Sequence, residues 1–507
     1  MRFLFSFVAW LSVSVTNCTE VHLIEPVEFG TVFDSTAAAS VVRPPQLQAR
    51  FHKSPGIRQV FELPDDPMLS LQWYLYNYGQ LNEKGVKGIP GADIGLFPAL
   101  SIYSPKREII IAVIDSGIDL THEDVDSTVL WTNPHEISGN GIDDDNNGYI
   151  DDIHGINFTH TVHDVQDRHY HGTHVTALLS SIRGNGIGIS GATPSIKIMP
   201  IVIFGLGSTA TRDQIALGIR YACDHGAQIL SNSWGSKYDN ANLKEAIEYC
   251  HKKGVLFVNA SGNSRENVDV EPQFPTNYQV PNQIVVGATD NRDRSAIFSN
   301  YGEQVDIAAP GDMVLSLMPK NNYRALSGTS QATPLVAGAL AMLWAHEPHL
   351  THMEVKARLL NTSDQFLALS RWVRSSARLN MYNLLSGREG RRLPEVPKGE
   401  IKKRAFGLES RHPYSMNHHN VWKFTFDGAK AIRLHFKRFE LDTYGDFLEI
   451  RDAQAQVADR LNGDLGQNFY SQWISGDVVE IEFFTDKSLQ LWGFEIDHIE
   501  VISASNP

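Results

Sequence analysis

Between residue 106 and about residue 388 the chain alternates short apolar, β-branched runs with longer helical patterns. The apolar runs are Glu108–Ile114, Ile196–Phe204, Ala227–Ser231, Val255–Ala260 and Gln283–Ala288. They are continuous rather than alternating with polar residues, the signature of strands buried on both faces. Helical patterns over His174–Ile182, Arg212–His225, Ala241–Lys253 and Ser330–Ala345 separate them. Strand and helix in turn predict a parallel α/β sheet flanked by helices. A sheet of that kind offers its chemistry at the carboxyl ends of its strands.

The pattern changes near residue 388. Residues 389–404 are polar and rich in Arg, Lys, Glu and Pro, which suits a linker. Beyond them, Val421–Phe426, Ala431–Phe439, Phe447–Arg451, Val478–Phe484 and Phe494–Val501 are strand-like runs broken by Gly, Asp and Asn. Residues 405–504 therefore read as an all-β sandwich of about 100 residues. At the other end, Arg2 precedes the apolar stretch Phe3–Val15, followed by Thr16 and Asn17. This is the form of a secretory signal peptide over 1–17, and it is too short to span a bilayer. The expected protein is thus exported, monomeric and without a membrane span.

Formal net charge is −14, from 44 Lys and Arg against 58 Asp and Glu, with no dominant basic run. Nucleic acid is excluded as an expected partner. Of three cysteines, Cys18 lies at the expected signal cleavage point. Cys223 and Cys250 sit in two helical patterns, where a buried free thiol and a disulfide both remain open.

Hydrolysis of an amide by a serine needs a base, a group to orient that base, and donors for the oxyanion. Asp115 follows a predicted strand and enters Ser116-Gly117, a tight turn that would expose its carboxylate at the sheet edge. His171 opens His171-Gly172-Thr173-His174 at a helix start. Ser330 lies in Ser327-Gly328-Thr329-Ser330-Gln331-Ala332-Thr333-Pro334, also at a helix N-terminus, where amides and dipole favour an anion. Asn263, in Ala260-Ser261-Gly262-Asn263 after another strand, supplies a side-chain amide.

These four segments, in the order Asp, His, Asn, Ser, resemble the subtilases. The resemblance covers about residues 65–388. It implies a subtilisin-like peptidase domain hydrolysing peptide bonds in protein or peptide substrates. Ser330 would be the nucleophile, His171 general base then acid, Asp115 the orienting carboxylate and Asn263 an oxyanion donor; His174 would be buried and structural. Gln331 and Leu335 replace the Met and His common in the family. The resemblance further implies that Ser233, Trp234 and Gly235 line one wall of the S1 pocket, that Gln273-Phe274-Pro275 lies at the other, and that Phe204–Ser208 pairs with an extended substrate. Residues 18–64 would be an inhibitory propeptide. A catalytically silent binding scaffold is the competing reading, and the intact triad argues against it.

Calcium is the expected structural cofactor. In the acidic insertion Asn140–Asp152, Asp143, Asp145, Asn147 and Asp151 are spaced as oxygen ligands with a following glycine turn. The subtilase resemblance implies a second site at Asp66, Asp124 and Asn185, with the backbone carbonyls of Ile182, Ile187 and Ile189. The C-terminal region resembles a CUB domain through Phe439-Glu440-Leu441-Asp442, Gly445–Ile450, Ser475-Gly476-Asp477 and Gly493-Phe494, without that family's disulfides. By that resemblance Asp442, Asp446 and Asp486 would converge on calcium, and the domain would bind a protein or glycan. Asn157, Asn259 and Asn361 open glycosylation sequons, with Asn259 expected to be buried.

Overall fold

A computed structural model describes residues 32–34, 63–159, 164–205, 207–442 and 445–503. The expected signal peptide and all of the expected propeptide but residues 32–34 and 63–64 lie outside these residues. From that segment, Val32–Asp34 pairs antiparallel with the strand Asn322–Leu326.

Among the described residues the main sheet has nine strands. Its centre runs, edge to edge, Ile307–Pro310, Gln283–Thr289, Leu256–Ala260, Ile229–Asn232, Ile109–Asp115 and Ile196–Val202. All five pairings among these six strands are parallel. Every residue of the four strands from Ile229 to Pro310 is buried, which explains their unbroken apolar runs. Chain order reverses direction at Ile109–Asp115, whose neighbours come from Ile196–Val202 on one side and Ile229–Asn232 on the other. Such a switch point opens a crevice beyond the strand ends.

Helix Thr329–His346 packs in one core cluster with Ile109, Ile229, Leu256 and Ile284. Every residue from Thr329 to Ala345 is buried, so this helix is apolar all round rather than striped. On the sheet's other face, Arg212–Asp224 and Ala241–Lys252 pack in a second cluster with Ala112, Leu230 and Phe257. Cys223 and Cys250, whose state the spacing left open, join these two helices as a disulfide with Cα atoms 5.8 Å apart.

The C-terminal domain consists of a four-stranded and a five-stranded antiparallel sheet around Leu434, Phe436, Phe483, Phe494 and Ile499. Its first strand is Ile401–Glu409, so residues 401–404 of the expected linker belong to the sandwich. This strand is exposed or half-buried throughout, and its charged residues hide the strand pattern. The domain contacts the α/β domain through several arginines. Arg294 Nη1 lies 2.8 Å from Glu449 Oε2, Arg371 Nη2 donates to the Tyr470 carbonyl at 2.7 Å, and Arg265 Nη2 donates to Asn462 Oδ1 at 2.7 Å. Arg265 also stacks on Trp372, 3.8 Å from the ring centroid.

Candidate active site

Three adjacent strands deliver side chains to the same carboxyl edge. Asp115 is the last residue of Ile109–Asp115, Ser233 follows Ile229–Asn232, and Asn263 follows Leu256–Ala260 by three residues. Two helix N-termini face this edge, with His171 the first residue of His171–Ser180 and Ser330 the second of Thr329–His346.

His171 Nδ1 lies 2.9 and 3.0 Å from the two Asp115 oxygens, with both residues buried. A carboxylate there holds the proton on Nδ1 and leaves Nε2 as the basic nitrogen. The Asp-Ser-Gly turn and the His-Gly helix approach closely. A Cβ on Gly172 would sit 2.2 Å from the Gly117 carbonyl oxygen, so only glycine fits. Gly172 N–H donates to Ser116 Oγ at 2.7 Å, and Ser116 Oγ donates to Asp167 Oδ1 at 2.9 Å. Asp167 also accepts from the amides of His169 and Thr173 and from the Thr173 hydroxyl. Burial pushes its carboxyl up to about 6 against these donors. Asp167 welds the Asp115 turn to the His171 helix, yet the sequence reading passed over it. Its signal was an acid four residues before a helix that starts at His171. His174 is fully buried, and that burial pulls its imidazole down to about 3; its Nε2 lies 3.1 Å from the Arg324 carbonyl.

Around Ser330, Pro334 has no N–H to give the carbonyl four residues earlier. That carbonyl, of Ser330, instead accepts from Ser233 Oγ at 2.9 Å, while Ser330 Oγ donates to the Ser233 carbonyl at 3.2 Å. Thr329 N–H and Oγ1 donate to Asn263 Oδ1 at 2.9 and 3.0 Å, which fixes which way round that amide sits. Thr329 Oγ1 also accepts from Gly262 N–H at 3.2 Å.

Trp234 is 1% exposed, its indole packed in the cluster beneath helices Arg212–Asp224 and Ala241–Lys252. Any wall it forms with Ser233 and Gly235 is therefore made by its backbone. Phe274 comes to this segment through mutual backbone hydrogen bonds with Ser236. Glu266, near that wall, is taken up by Lys237 at 2.6 Å and by Gln273 Nε2 at 2.9 Å. Phe204–Gly205 pairs with Ser208–Thr209 in a small hairpin at the edge expected to receive substrate.

The first expected calcium set is regrouped. Carboxylate oxygens of Asp143 and Asp145 converge with Glu136, which the acidic run did not reveal because it lies seven residues upstream. Glu136, Asp143, Asp145, Asn147 and Asp151 all also accept amides of this loop. Asp151 accepts the amides of Gly139 and Gly141, and Asn147 accepts from Tyr149 N–H and donates to Asp152. Three oxygen donors in one place suit a hard cation. At the second set, Asn185 Nδ2 donates to Asp124 Oδ1 at 3.1 Å and Asn185 N–H to Asp66 Oδ1 at 3.1 Å. Burial pushes Asp124 up to about 8 and raises Asp66 as well. Two buried, mutually repelling acids fit a divalent cation between them. In the C-terminal domain, Asp486 N–H donates to Asp446 Oδ1 at 2.8 Å and Ser488 ties Asp442 to Asp486. Burial raises Asp446, with Asp486 and Asp442 adding to the effect.

Of the sequons, Asn259 is buried as expected. Asn157 is buried too, its side chain bound to the Asp164 carbonyl at 2.8 Å, so this site is closed to an enzyme; Asn361 is exposed. Among the described residues no helix is long and apolar enough to cross a membrane.

A model described as "Subtilase family" matches residues 106–391, and one described as "CUB domain" matches 398–498. Thermitase of Thermoactinomyces vulgaris is 31% identical over 255 residues, which is 50% of this chain and 81% of that protein. A thermophilic serine proteinase of Bacillus sp. (strain AK1) is 33% identical over 54% of this chain and 61% of its own length. A cell wall-associated protease of Bacillus subtilis (strain 168) is 34% identical over 61% of this chain and 31% of its own. The chain thus spans less than two thirds of the length of these last two relatives. Among solved structures, a protease of Pseudoalteromonas arctica PAMC 21717 shares the fold with a TM-score of 0.50 and 23% identity, covering 65% of this chain and all of that one.

Proposed function

Since this chain belongs to the subtilase family, we propose that it is a secreted serine endopeptidase acting through an acyl-enzyme on Ser330. The observation that carries this reading is the two-oxygen grip of Asp115 on His171 Nδ1, at the same sheet edge that presents Ser330 and Asn263. With Nδ1 so held, His171 Nε2 takes the Ser330 hydroxyl proton as Oγ attacks the scissile carbonyl. Asp115 keeps the ring oriented and stabilises the imidazolium. The oxyanion is met by the Asn263 amide and the N-terminus of the Ser330 helix. His171 returns its proton to the leaving amine, and water then repeats the sequence to release the acyl group.

Substrate would lie extended along Phe204–Gly205, with its P1 side chain between Ser233–Gly235 and Phe274. The pairing of Glu266 with Lys237 and Gln273 argues against an acidic S1 base that selects Lys or Arg. Calcium would be held by Asp66, Asp124 and Asn185, and by Glu136, Asp143 and Asp145, where it would lend only charge and rigidity. Residues 18–64 would act as the inhibitory propeptide, and the CUB domain would localise the enzyme on a protein or glycan. The test is digestion of a peptide library by the purified chain. The reading predicts cleavage that Ser330→Ala abolishes; cleavage that survives this substitution would refute it.

A further inference from the structure

The outer face of the C-terminal sandwich carries a cluster unrelated to peptide hydrolysis. In strands Ala429–Glu440 and Gly493–Ser503, Leu434, Phe436, Ile496 and Ile499 enter the core, and His435 lies on the opposite face. His435 pairs with His498 and Phe436 with Ile496, so Asp497 is an extra residue on its strand. This bulge places Asp497 and His498 together opposite His435. His435 Nδ1 lies 2.6 Å from Asp497 Oδ1, and His498 Nδ1 lies 2.7 Å from the same oxygen. The two imidazoles stack with centroids 4.1 Å apart.

Tyr470 Oη is 3.0 Å from Glu500 Oε1 and 3.2 Å from His498 Nε2. Arg433 grips the Glu500 carboxylate through Nε at 2.8 Å and Nη2 at 2.5 Å. Glu500 is therefore an acceptor only, and the single Tyr470 proton goes to it. His498 Nε2 must then donate to Tyr470 Oη. His498 Nδ1 faces the carboxylate oxygen 2.7 Å away. A cation, either a proton or a metal ion, satisfies this contact, and His435 Nδ1 on the same oxygen adds a third donor atom.

We propose that this cation is a divalent transition-metal ion of the Zn2+ class, bound by His435 Nδ1, Asp497 Oδ1 and His498 Nδ1. Two imidazoles and one carboxylate are the donor set such ions take, and the three ligand atoms all lie within 4.8 Å of one another. The chain Nε2–H to Tyr470 to Glu500 is the outer support that metal-bound imidazoles characteristically have. Tetrahedral bonds of about 2.0–2.1 Å set the ligand atoms about 3.3 Å apart, about 0.7 Å more than the present 2.6 and 2.7 Å. Asp497 can supply that movement, since its side chain is 38% exposed at the bulge. The same exposure leaves a fourth position open to water or to a donor from a bound partner. Metal entry expels the proton between His435 Nδ1 and the carboxylate.

The test uses the full chain carrying Ser330→Ala, to prevent self-digestion, in excess Ca2+ so that hard-cation sites are filled. Co2+ is titrated and followed by its visible ligand-field absorption, and Zn2+ is then added to displace it. One Co2+ per chain should give the tetrahedral nitrogen-oxygen spectrum and yield to Zn2+. His435→Ala and Asp497→Asn should each weaken Zn2+ binding by at least about tenfold, and Tyr470→Phe by about tenfold through the outer support. The spectrum of the unsubstituted cluster does not depend on any variant folding. Absence of a tetrahedral Co2+ spectrum would overturn the site and assign His498 as an imidazolium. Binding unchanged in both His435→Ala and Asp497→Asn would also overturn it and place the ion elsewhere, such as at His251 Nδ1 and His352 Nε2, which lie 3.0 Å apart.

Discussion

Glu449 is the pivot of the contact between the two domains, and replacing it with Gln has a calculable cost. Its side chain is fully buried, 2.8 Å from Arg294 of the peptidase domain and in contact with Arg451 and Arg460 of its own. Burial alone would raise its carboxyl; Arg294, Arg460 and Arg451 outweigh burial and hold it down to about 2 from an ordinary 4.5. At about 1.4 kcal/mol per pH unit, this is about 3 kcal/mol in favour of the folded, docked state. Removal of one partner from a buried ion pair costs about 3–5 kcal/mol by comparison with other proteins, which agrees. Because the folded value is depressed, the contribution is present above pH 4.5 and is lost as pH falls toward 2. Glu449→Gln should therefore lower the unfolding midpoint of the C-terminal domain at pH 7 by on the order of 10 °C. The gap to the parent should close progressively below pH 4.5. Calorimetry of both proteins in the Ser330→Ala background, from pH 7 to pH 2.5, measures this directly. An equal loss at every pH, or no loss at pH 7, would refute the electrostatic account of the interface.

Asn263→Ala should lower kcat by about 10²–10³-fold with KM little changed, the cost established for the oxyanion amide of subtilisin; steady-state kinetics on one peptide decides it. Replacing Cys223 and Cys250 together by Ala opens a bridge with a sequence separation of 27. The loss expected is about 3–4 kcal/mol in thermal or denaturant unfolding, with activity retained at low temperature. Chelation of calcium with EGTA should lower the melting temperature of the peptidase domain, because an ion held at 100 times its Kd stabilises by about 2.7 kcal/mol. Asp124→Asn should reduce that response, and a melting temperature indifferent to EGTA would remove the calcium proposal.

The sheet was legible because its strands are buried on both faces, which forces unbroken runs such as Val255–Ala260. The site was legible because its residues lie where short local patterns end: Asp115 at a strand's end, His171 and Ser330 at helix starts. Features held together across long sequence distances were not legible. Asp167 serves His171 only because Ser116 returns to meet it 51 residues away along the chain. Glu136 joins Asp143 and Asp145 through loop closure, and an acid outside the run has no periodicity to mark it. The strand Ile401–Glu409 lies at the edge of its sheet with Lys402, Lys403 and Arg404 exposed or half-buried, so it reads as linker. The Cys223–Cys250 bridge depends on how two helices pack. The burial of Asn157 depends on the Asp164 carbonyl meeting its side chain, which no sequon can report.

The central claim is that Ser330 is a nucleophile activated by His171 under the hold of Asp115. Covalent labelling with a fluorophosphonate, located by mass spectrometry of the digested chain, tests it most directly. The account predicts one label, on Ser330, reduced to background in His171→Ala and absent in Ser330→Ala. A mature chain that takes no label at Ser330, or labels equally well without His171, would contradict it.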